Sequence, residues 1–247
     1  MYQIIKEEFY KEKPVLDVNR LVLWKKEHKQ YNFKALPSIA ILTINRGVVS
    51  KKIKLRSKKL KGINGKNYVL NNALVICFDF GNGAPAVINL MEELRALGVK
   101  TFIYLGFAGI LTTNLKAGDL FVVNKSFSMT GCSKFYNGQD CLELQNNKFV
   151  NEFLSKLNFK EVAGVSTDAP FRETASFLEE FVNKGAKVID MECAAIYAFS
   201  SFYNLNAICL TVGADRLLNA QWTPPNNLKL INKTFKSNFK LLLKLLS

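Results

Sequence analysis

The stretch that most constrains this chain is residues 188–200, where a β-branched pair leads into an almost wholly apolar run. Asp190 follows a predicted short strand, and its carboxylate is well placed to accept hydrogen bonds from the first turn of a helix. That helix is apolar on nearly all sides, so we expect it to be buried. Its start nevertheless carries Glu192, and a buried carboxylate is costly unless it is hydrogen-bonded.

Glu192 therefore needs partners, and the residues alone leave two interpretations open. In the first, the positive end of its helix and a nearby Lys or Arg stabilise the charge. In the second, the carboxylate accepts hydroxyl protons from a polyol such as a ribose.

Length and composition suit one large α/β domain with a substantial core, because the chain has 247 residues and 49% of them are apolar. We predict a single domain over residues 1–247, with an N-terminal arm at 1–35 and an amphipathic C-terminal helix at 226–247. Binding of that helix to an anionic membrane is the minor alternative. No apolar run of about 18 residues and no secretory core are present, which predicts a cytoplasmic protein without a membrane partner.

Charge and the scarcity of histidine exclude several functions. The formal net charge is +14, much of it within residues 51–66. Aromatic residues are not interleaved there, so we predict no nucleic-acid partner and interpret the stretch as a solvated face, with steering of an anionic substrate as an alternative. The single histidine, His28, and the absence of metal-type cysteine spacing argue against a metal site and against a Ser-His or Cys-His nucleophile.

Buried strands alternate with helices, which predicts a mixed, mostly parallel central sheet flanked by helices. The predicted strands are residues 38–44, 72–80, 99–105, 117–123, 161–167, 188–189 and 206–213, and the predicted helices are 85–97, 147–157, 175–183, the run after Asp190, and 228–246. The strand–helix–strand unit over 72–105 predicts a right-handed crossover. Glycine turns are expected at 81–85 and 106–109, and a loop or hairpin at 124–146.

Open α/β sheets bind ligands at the carboxyl ends of their strands. Five segments fall there: residues 81–85, 106–109, 166–173, 191–192 and 215–216. Each is a weak signal alone, but their order and spacing over residues 38–216, together with Asp-Met-Glu-x-Ala-Ala at 190–195, resemble the nucleoside phosphorylase and nucleosidase superfamily, the purine nucleoside and uridine phosphorylase-like group.

The resemblance implies a nucleoside as partner and a role for each segment. It implies a ribose site of Met191, Glu192 and Asn82, a base site of Phe107, Gly109, Thr167, Phe171 and Arg172, and two catalytic residues, Asp215 and Arg216. Breaking an N-glycosidic bond leaves negative charge on the base, which a proton or a cation must meet. The family also implies a homo-oligomer, a dimer or a hexamer, and no cofactor.

Simpler roles stay open for several of these residues. Asp168 and Asp215 are also suited to capping helices, and Phe171 to packing in the core. Arg172 and Glu173 would then form a local ion pair. The base also stays open, because Asp215 favours purines whereas Arg172 and Arg216 favour pyrimidines.

The resemblance is weakest around the phosphate. Where the family has an arginine and a Ser or Thr, this chain has Tyr104 and Phe107, and no Gly-Asp-Pro turn follows the first strand. The remaining phosphate-binding candidates are Gly83, Arg46 and Arg56. Three hypotheses follow: a nucleoside phosphorylase that uses inorganic phosphate at a rebuilt site, a nucleoside hydrolase or an enzyme that uses another acceptor, and a non-catalytic nucleoside-binding protein.

Overall fold

A computed structural model of the chain describes Phe9 and residues 12–157 and 159–246. The predicted N-terminal arm at 1–35 therefore lies partly outside the described residues. Its described part contains a helix, α1 (Val18–Glu27), which begins where Asp17 accepts a hydrogen bond from the backbone N–H of Asn19.

Every predicted strand and helix is present, and further elements that were not predicted lie at residues 18–27, 51–55, 57–60, 66–70 and 221–223. The strands are β1 (Ile39–Thr43), β2 (Ser57–Leu60), β3 (Lys66–Leu70), β4 (Leu74–Phe78), β5 (Thr101–Ile110), β6 (Leu120–Met129), β7 (Cys141–Glu143), β8 (Lys160–Thr167), β9 (Val188–Asp190), β10 (Asn206–Leu218) and β11 (Gln221–Thr223). The remaining α-helices are α2 (Lys51–Leu55), α3 (Ala84–Ala96), α4 (Lys148–Ser155), α5 (Ala175–Asn183), α6 (Cys193–Phe202) and α7 (Leu228–Leu246).

All eleven strands belong to one mixed sheet, which confirms the predicted single-domain α/β fold. Parallel pairings join β4, β1, β5 and β10 in that order, and separately join β6, β8 and β9. Antiparallel pairings add β3, β2, β7 and β11 and connect the two parallel groups. Strand β9 pairs with β5 at Gly109 and Ile110, beyond the point where β1 ends.

Helices cover both faces of the sheet, which explains the continuous apolar runs of its central strands. Residues of α1, α3 and α6 pack on one face, and residues of α2, α4 and α7 pack on the other. Successive residues of β1 alternate between them, with Ala40 and Leu42 on the first face and Ile41 on the second. Helix α6 is buried along almost its whole length, as predicted.

The glycine turn predicted at 106–109 is wrong, because β5 continues through it to Ile110. A Cβ on Gly106 would collide with the Tyr104 hydroxyl, and one on Gly109 would lie 2.6 Å from a methyl of Leu217. Both glycines therefore admit a close neighbour within a strand and do not turn the chain.

Two other strands are longer than predicted. Strand β10 runs to Leu218, with a register shift between Gly213 and Arg216, so Asp215 lies within the strand and not after it. Strand β6 runs to Met129 and pairs antiparallel with β7, so residues 124–146 form a hairpin.

The C-terminal helix α7 docks on the domain. Ile231, Phe235, Phe239 and Leu242 form its buried stripe, and the lysines between them face outward. Within the described chain, no helix combines the length and the apolar character that crossing a membrane requires.

Candidate active site

A cavity of about 220 Å³ opens beyond the carboxyl ends of β1 and β4 and beside the second half of β5. Its walls come from segments far apart in the sequence. They comprise Ile44, Asn82, Phe107, Ala108, Gly109, Pro170, Glu173, Ile189, Asp190, Met191, Glu192, Asp215 and Leu217. Ligand sites of open α/β sheets lie at this edge.

Glu192 forms part of the cavity wall and is only 3% exposed. Its Oε1 accepts a hydrogen bond of 2.6 Å from the backbone N–H of Gly83, and its Oε2 accepts one of 3.3 Å from the N–H of Met191. Burial, and then the charge of Asp190, raise the pKa of Glu192 to about 7. The two N–H groups oppose this shift because they favour the ionised form.

The first interpretation of Glu192 is only partly correct. In the described chain no Lys or Arg forms an ion pair with it. The helix whose positive end it meets is α3, which begins after Gly83, and not its own helix α6. A carboxylate offers about four acceptor positions and two are taken by backbone N–H groups, which leaves others for a ligand.

Asp190 holds the start of α6 in place, as predicted. Its Oδ1 accepts hydrogen bonds from the N–H groups of Glu192 (3.1 Å) and Cys193 (3.3 Å), and also from the Ser166 hydroxyl. Ser166 in turn accepts a bond of 2.9 Å from the N–H of Ala194. Burial raises the pKa of Asp190. The supporting role of Ser166 was not predicted, since it depends on the pairing of β8 with β9 that sets Ser166 opposite Asp190.

Tyr104 lies next to Glu192 and does not line the cavity itself. The side chain is fully buried, and its hydroxyl has no hydrogen-bond partner in the described part of the chain. Burial, and then the nearby carboxylate of Glu192, raise the pKa of Tyr104 well above its ordinary value. Tyr104 therefore supplies a neutral group beside Glu192 where an arginine would supply a cation.

Two further carboxyl groups, those of Glu173 and Asp215, line the cavity. Asp215 accepts a hydrogen bond of 2.7 Å from the indole N–H of Trp222, which fixes one of its oxygens. Glu173 is half-buried, and burial followed by the charge of Asp215 raises its pKa to about 7. The local ion pair that the sequence suggested between Arg172 and Glu173 is absent from the described structure. Nothing in the sequence indicated that Trp222 contacts Asp215.

The predicted ribose and base residues divide into two groups. Those that line the cavity are Asn82, Phe107, Gly109, Met191, Glu192 and Asp215. The others lie outside its lining. Arg216 donates to the carbonyl oxygen of Leu115 over 2.9 Å, Phe171 is 99% exposed, and the Thr167 hydroxyl accepts a bond from the N–H of Ala169. Arg172 belongs to the exposed turn that holds Phe171.

The three predicted phosphate residues also have different positions. The N–H of Gly83 is already bonded to Glu192. Arg46 and Lys66 both form ion pairs with Asp79, at 2.7 and 2.8 Å, next to the carboxyl ends of β1 and β4 but outside the cavity lining.

Arg56 lies at the opposite edge of the sheet. The next residue, Ser57, pairs with Leu70, and Leu70 pairs with Leu74, which is the first residue of β4. Arg56 is therefore near the amino end of β4, whereas the cavity lies beyond its carboxyl end.

The lining of the cavity is acidic. Among its described residues are four carboxyl side chains, those of Glu173, Asp190, Glu192 and Asp215, and no Lys, Arg or His. In the described residues, no group of three or more His, Cys, Asp and Glu side chains is arranged to hold a metal ion.

The fold is that of a nucleoside phosphorylase-like α/β protein. Residues 50–247 match the family model described as the phosphorylase superfamily, and the chain belongs to that family.

Its relatives include enzymes for different bases. The chain is 29% identical over 147 residues to a guanosine phosphorylase of Halorubrum lacusprofundi, an alignment that covers 57% of this chain and 61% of the relative. It is similar in fold to the purine nucleoside phosphorylase of Toxoplasma gondii, solved with immucillin-H, with a TM-score of 0.68, 19% identity, and 82% and 87% of the two chains covered. A uridine phosphorylase from Vibrio fischeri gives a TM-score of 0.66 and 20% identity over 85% and 92% of the chains.

Proposed function

We propose that this protein is an enzyme that cleaves the N-glycosidic bond of a ribonucleoside. The observation that carries the proposal is the carboxylate of Glu192, which lines the cavity and is held by the N–H groups of Gly83 and Met191. A buried acid with unused acceptor positions in an open cavity suits two adjacent hydroxyl groups, and the 2′ and 3′ hydroxyls of a ribose provide them. Membership of the phosphorylase superfamily supports the same substrate class.

In the proposed mechanism Glu192 binds the ribose, and Asp215 and Glu173 act on the base. Glu192 fixes the ribose, which positions the anomeric carbon, and its negative charge favours the positive charge that develops on the sugar. Asp215, oriented by Trp222, faces the leaving base. Glu173 has a pKa of about 7, so it holds a proton in a large share of molecules at neutral pH and can donate it to the base.

Phosphate is the acceptor that we propose first, because the chain belongs to a family of phosphorylases. Arg46 and Lys66 support this proposal from outside the cavity. Arg46 follows Ile44 by two residues, and Lys66 is the first residue of β3 and pairs with Phe78 at the end of β4. Both therefore lie at the edge of the sheet where the cavity opens. If a phosphate oxygen took the place of the Asp79 carboxylate, Arg46 and Lys66 would each still have an anionic partner.

Hydrolysis is the second candidate, and the acidic lining of the cavity favours it. A phosphate dianion that entered the cavity would meet like charge on those of the four carboxyl groups that are ionised, which is unfavourable at low dielectric. Water carries no such penalty. Tyr104 supports the same alternative, because this buried neutral side chain beside Glu192 offers a phosphate no cation.

A panel of purine and pyrimidine ribonucleosides, incubated with the protein with and without inorganic phosphate, tests the proposal. Base release that requires phosphate supports phosphorolysis, and release without phosphate supports hydrolysis. If nucleosides raise the melting temperature but no base is released, the protein is a nucleoside-binding protein and the enzymatic proposal is wrong.

We further propose a purine as the preferred base, because Asp215 lines the cavity whereas Arg172 and Arg216 lie outside it. Comparison of kcat/KM for inosine, adenosine, guanosine and uridine tests this preference. A cytoplasmic homo-oligomer, a dimer or a hexamer, is proposed from the family alone, and light scattering on the purified protein tests the oligomeric state.

A further inference from the structure

A second groove, of about 240 Å³, lies between helices α2 and α7. Four of its lining residues are cations: Lys52 and Arg56 come from α2 and the residue after it, and Lys240 and Lys244 come from α7. Its apolar lining residues are Ile53, Leu70 and Leu243, and its remaining ones are Ser50 and Asn71. Two segments almost 190 residues apart in the sequence therefore contribute positive charge to one concave surface.

This groove is separate from the active-site cavity. The two share no lining residue. Leu70 is the last residue of β3 and pairs with Leu74, the first residue of β4, and Asn71 follows it, so the groove lies at the amino end of β4 and the cavity at its carboxyl end. A ligand in the groove would not touch a nucleoside in the cavity.

The cations of the groove have no counter-charge in the described chain. Among the described residues none of the four forms an ion pair, and the described lining contains no Asp or Glu. Lys52 and Arg56 are four residues apart, as are Lys240 and Lys244 on α7, and like charges at this spacing repel each other. An anion bound between the helices would offset this repulsion.

We propose that the groove between α2 and α7 binds a small anion that carries two or more linked phosphate groups. Several linked phosphates match cations that come from two sides, and Ile53, Leu70 and Leu243 provide an apolar floor for any uncharged part of the ligand. The chemistry is shared by inorganic oligophosphates and nucleoside polyphosphates.

Two larger partners fit less well. A membrane surface would be held by electrostatics alone, because the apolar stripe of α7 is already buried against the sheet. A single strand of nucleic acid would find no aromatic side chain in the groove on which its bases could stack.

Calorimetric titration with inorganic tripolyphosphate near physiological ionic strength tests the proposal, since screening then removes most long-range attraction. The test variant is the double substitution K240E/K244E. Its matched control is K229E/K233E, which makes the same charge change on exposed residues of the same helix, outside the groove. We expect saturable binding to the wild type, at least about tenfold weaker binding to K240E/K244E, and no more than a small change in the control.

Circular dichroism of both double variants verifies that α7 is intact. K52A removes one groove cation from α2 and should weaken tripolyphosphate binding less than K240E/K244E does. Parallel titrations with ADP and with vesicles containing phosphatidylserine identify the source of the phosphate groups. Absence of tripolyphosphate binding to the wild type, equal loss in both double variants, or binding of vesicles alone would each overturn the proposal. Glu192→Gln should bind tripolyphosphate as the wild type does, so the result is independent of the proposed enzymatic function.

Discussion

The backbone N–H of Gly83 donates a 2.6 Å hydrogen bond to Oε1 of Glu192, which joins the start of α3 to the start of α6. Gly83 has φ of 86° and ψ of 166°, a conformation open almost only to glycine. The bond explains how a carboxylate that is 3% exposed can be tolerated without a cation. It also fixes the acid in one position in the cavity, as recognition of two hydroxyl groups requires.

Replacement of Glu192 tests its proposed role directly. Glu192→Gln keeps an oxygen that can accept from Gly83 but loses the charge and part of the acceptor capacity toward the ribose. We expect kcat/KM for base release to fall by about 10- to 100-fold, the value of one or two hydrogen bonds to a charged group. Glu143→Gln, on the exposed face of β7, is the matched control and should be as active as the wild type. If Glu192→Gln were as active as the wild type, the proposal that Glu192 binds the ribose would be wrong.

The same substitution should change how stability depends on pH. The pKa of Glu192 is about 7 in the folded protein against an ordinary value of 4.5, so the folded state retains a proton that the unfolded state loses as pH rises above 4.5. The wild type therefore loses stability between about pH 4.5 and 7, and the loss is complete above pH 7. The quantity to compare is the free energy of unfolding of Glu192→Gln minus that of the wild type. With about 1.4 kcal/mol per pKa unit, this difference should be up to about 3 kcal/mol larger at pH 8 than at pH 4.5. Urea denaturation at both pH values measures this, and a difference independent of pH would contradict it.

Gly83→Ala should cost both stability and activity. A Cβ at this position has room, since its nearest neighbour would be the Met191 methyl at 3.6 Å, but the positive φ makes alanine strained by about 1–3 kcal/mol. Relaxation of that strain moves the N–H away from Glu192. Gly185→Ala is the matched control, because Gly185 has a φ of 96° and open space around it and does not line the cavity. Both variants should unfold at lower urea concentration, and only Gly83→Ala should lose activity at a temperature where both are folded.

Trp222 should act on catalysis through Asp215. Trp222→Phe keeps an aromatic ring but removes the indole N–H that donates to Asp215 over 2.7 Å. Because Trp222 does not line the cavity, we expect kcat to fall by about three- to tenfold with little change in KM, and stability to change by less than about 1 kcal/mol. Trp24→Phe, on α1, removes the other tryptophan of the chain and should leave kcat unchanged. Equal kcat values for the wild type, Trp222→Phe and Trp24→Phe would show that the hydrogen bond from Trp222 to Asp215 does not contribute to the reaction.

Local patterns predicted most of the strands and helices, and they failed where the tertiary neighbours decide the structure. Glycine at 106 and 109 suggests a turn, but the Tyr104 hydroxyl and Leu217 are the reason that these residues are small. The spacing of segments identified Glu192 and Asp215 in the cavity. It could not show that neighbouring Arg216 turns to the carbonyl of Leu115, because the side on which a strand residue points depends on the register shift after Gly213.

Helix α7 should support the cavity through a pair of aromatic rings. The ring of Phe107, which lines the cavity, lies 4.6 Å from that of Phe235 on α7. Phe235→Ala should destabilise the protein by about 3–5 kcal/mol and also leave Phe107 free to move, which should raise the KM for the nucleoside. Phe239→Ala is the matched control, since Phe239 is equally buried on the same helix. It should cost similar stability with a smaller change in KM. Denaturation curves and KM values at a temperature where both variants are folded distinguish the two effects, and identical KM values would show that α7 contributes stability alone.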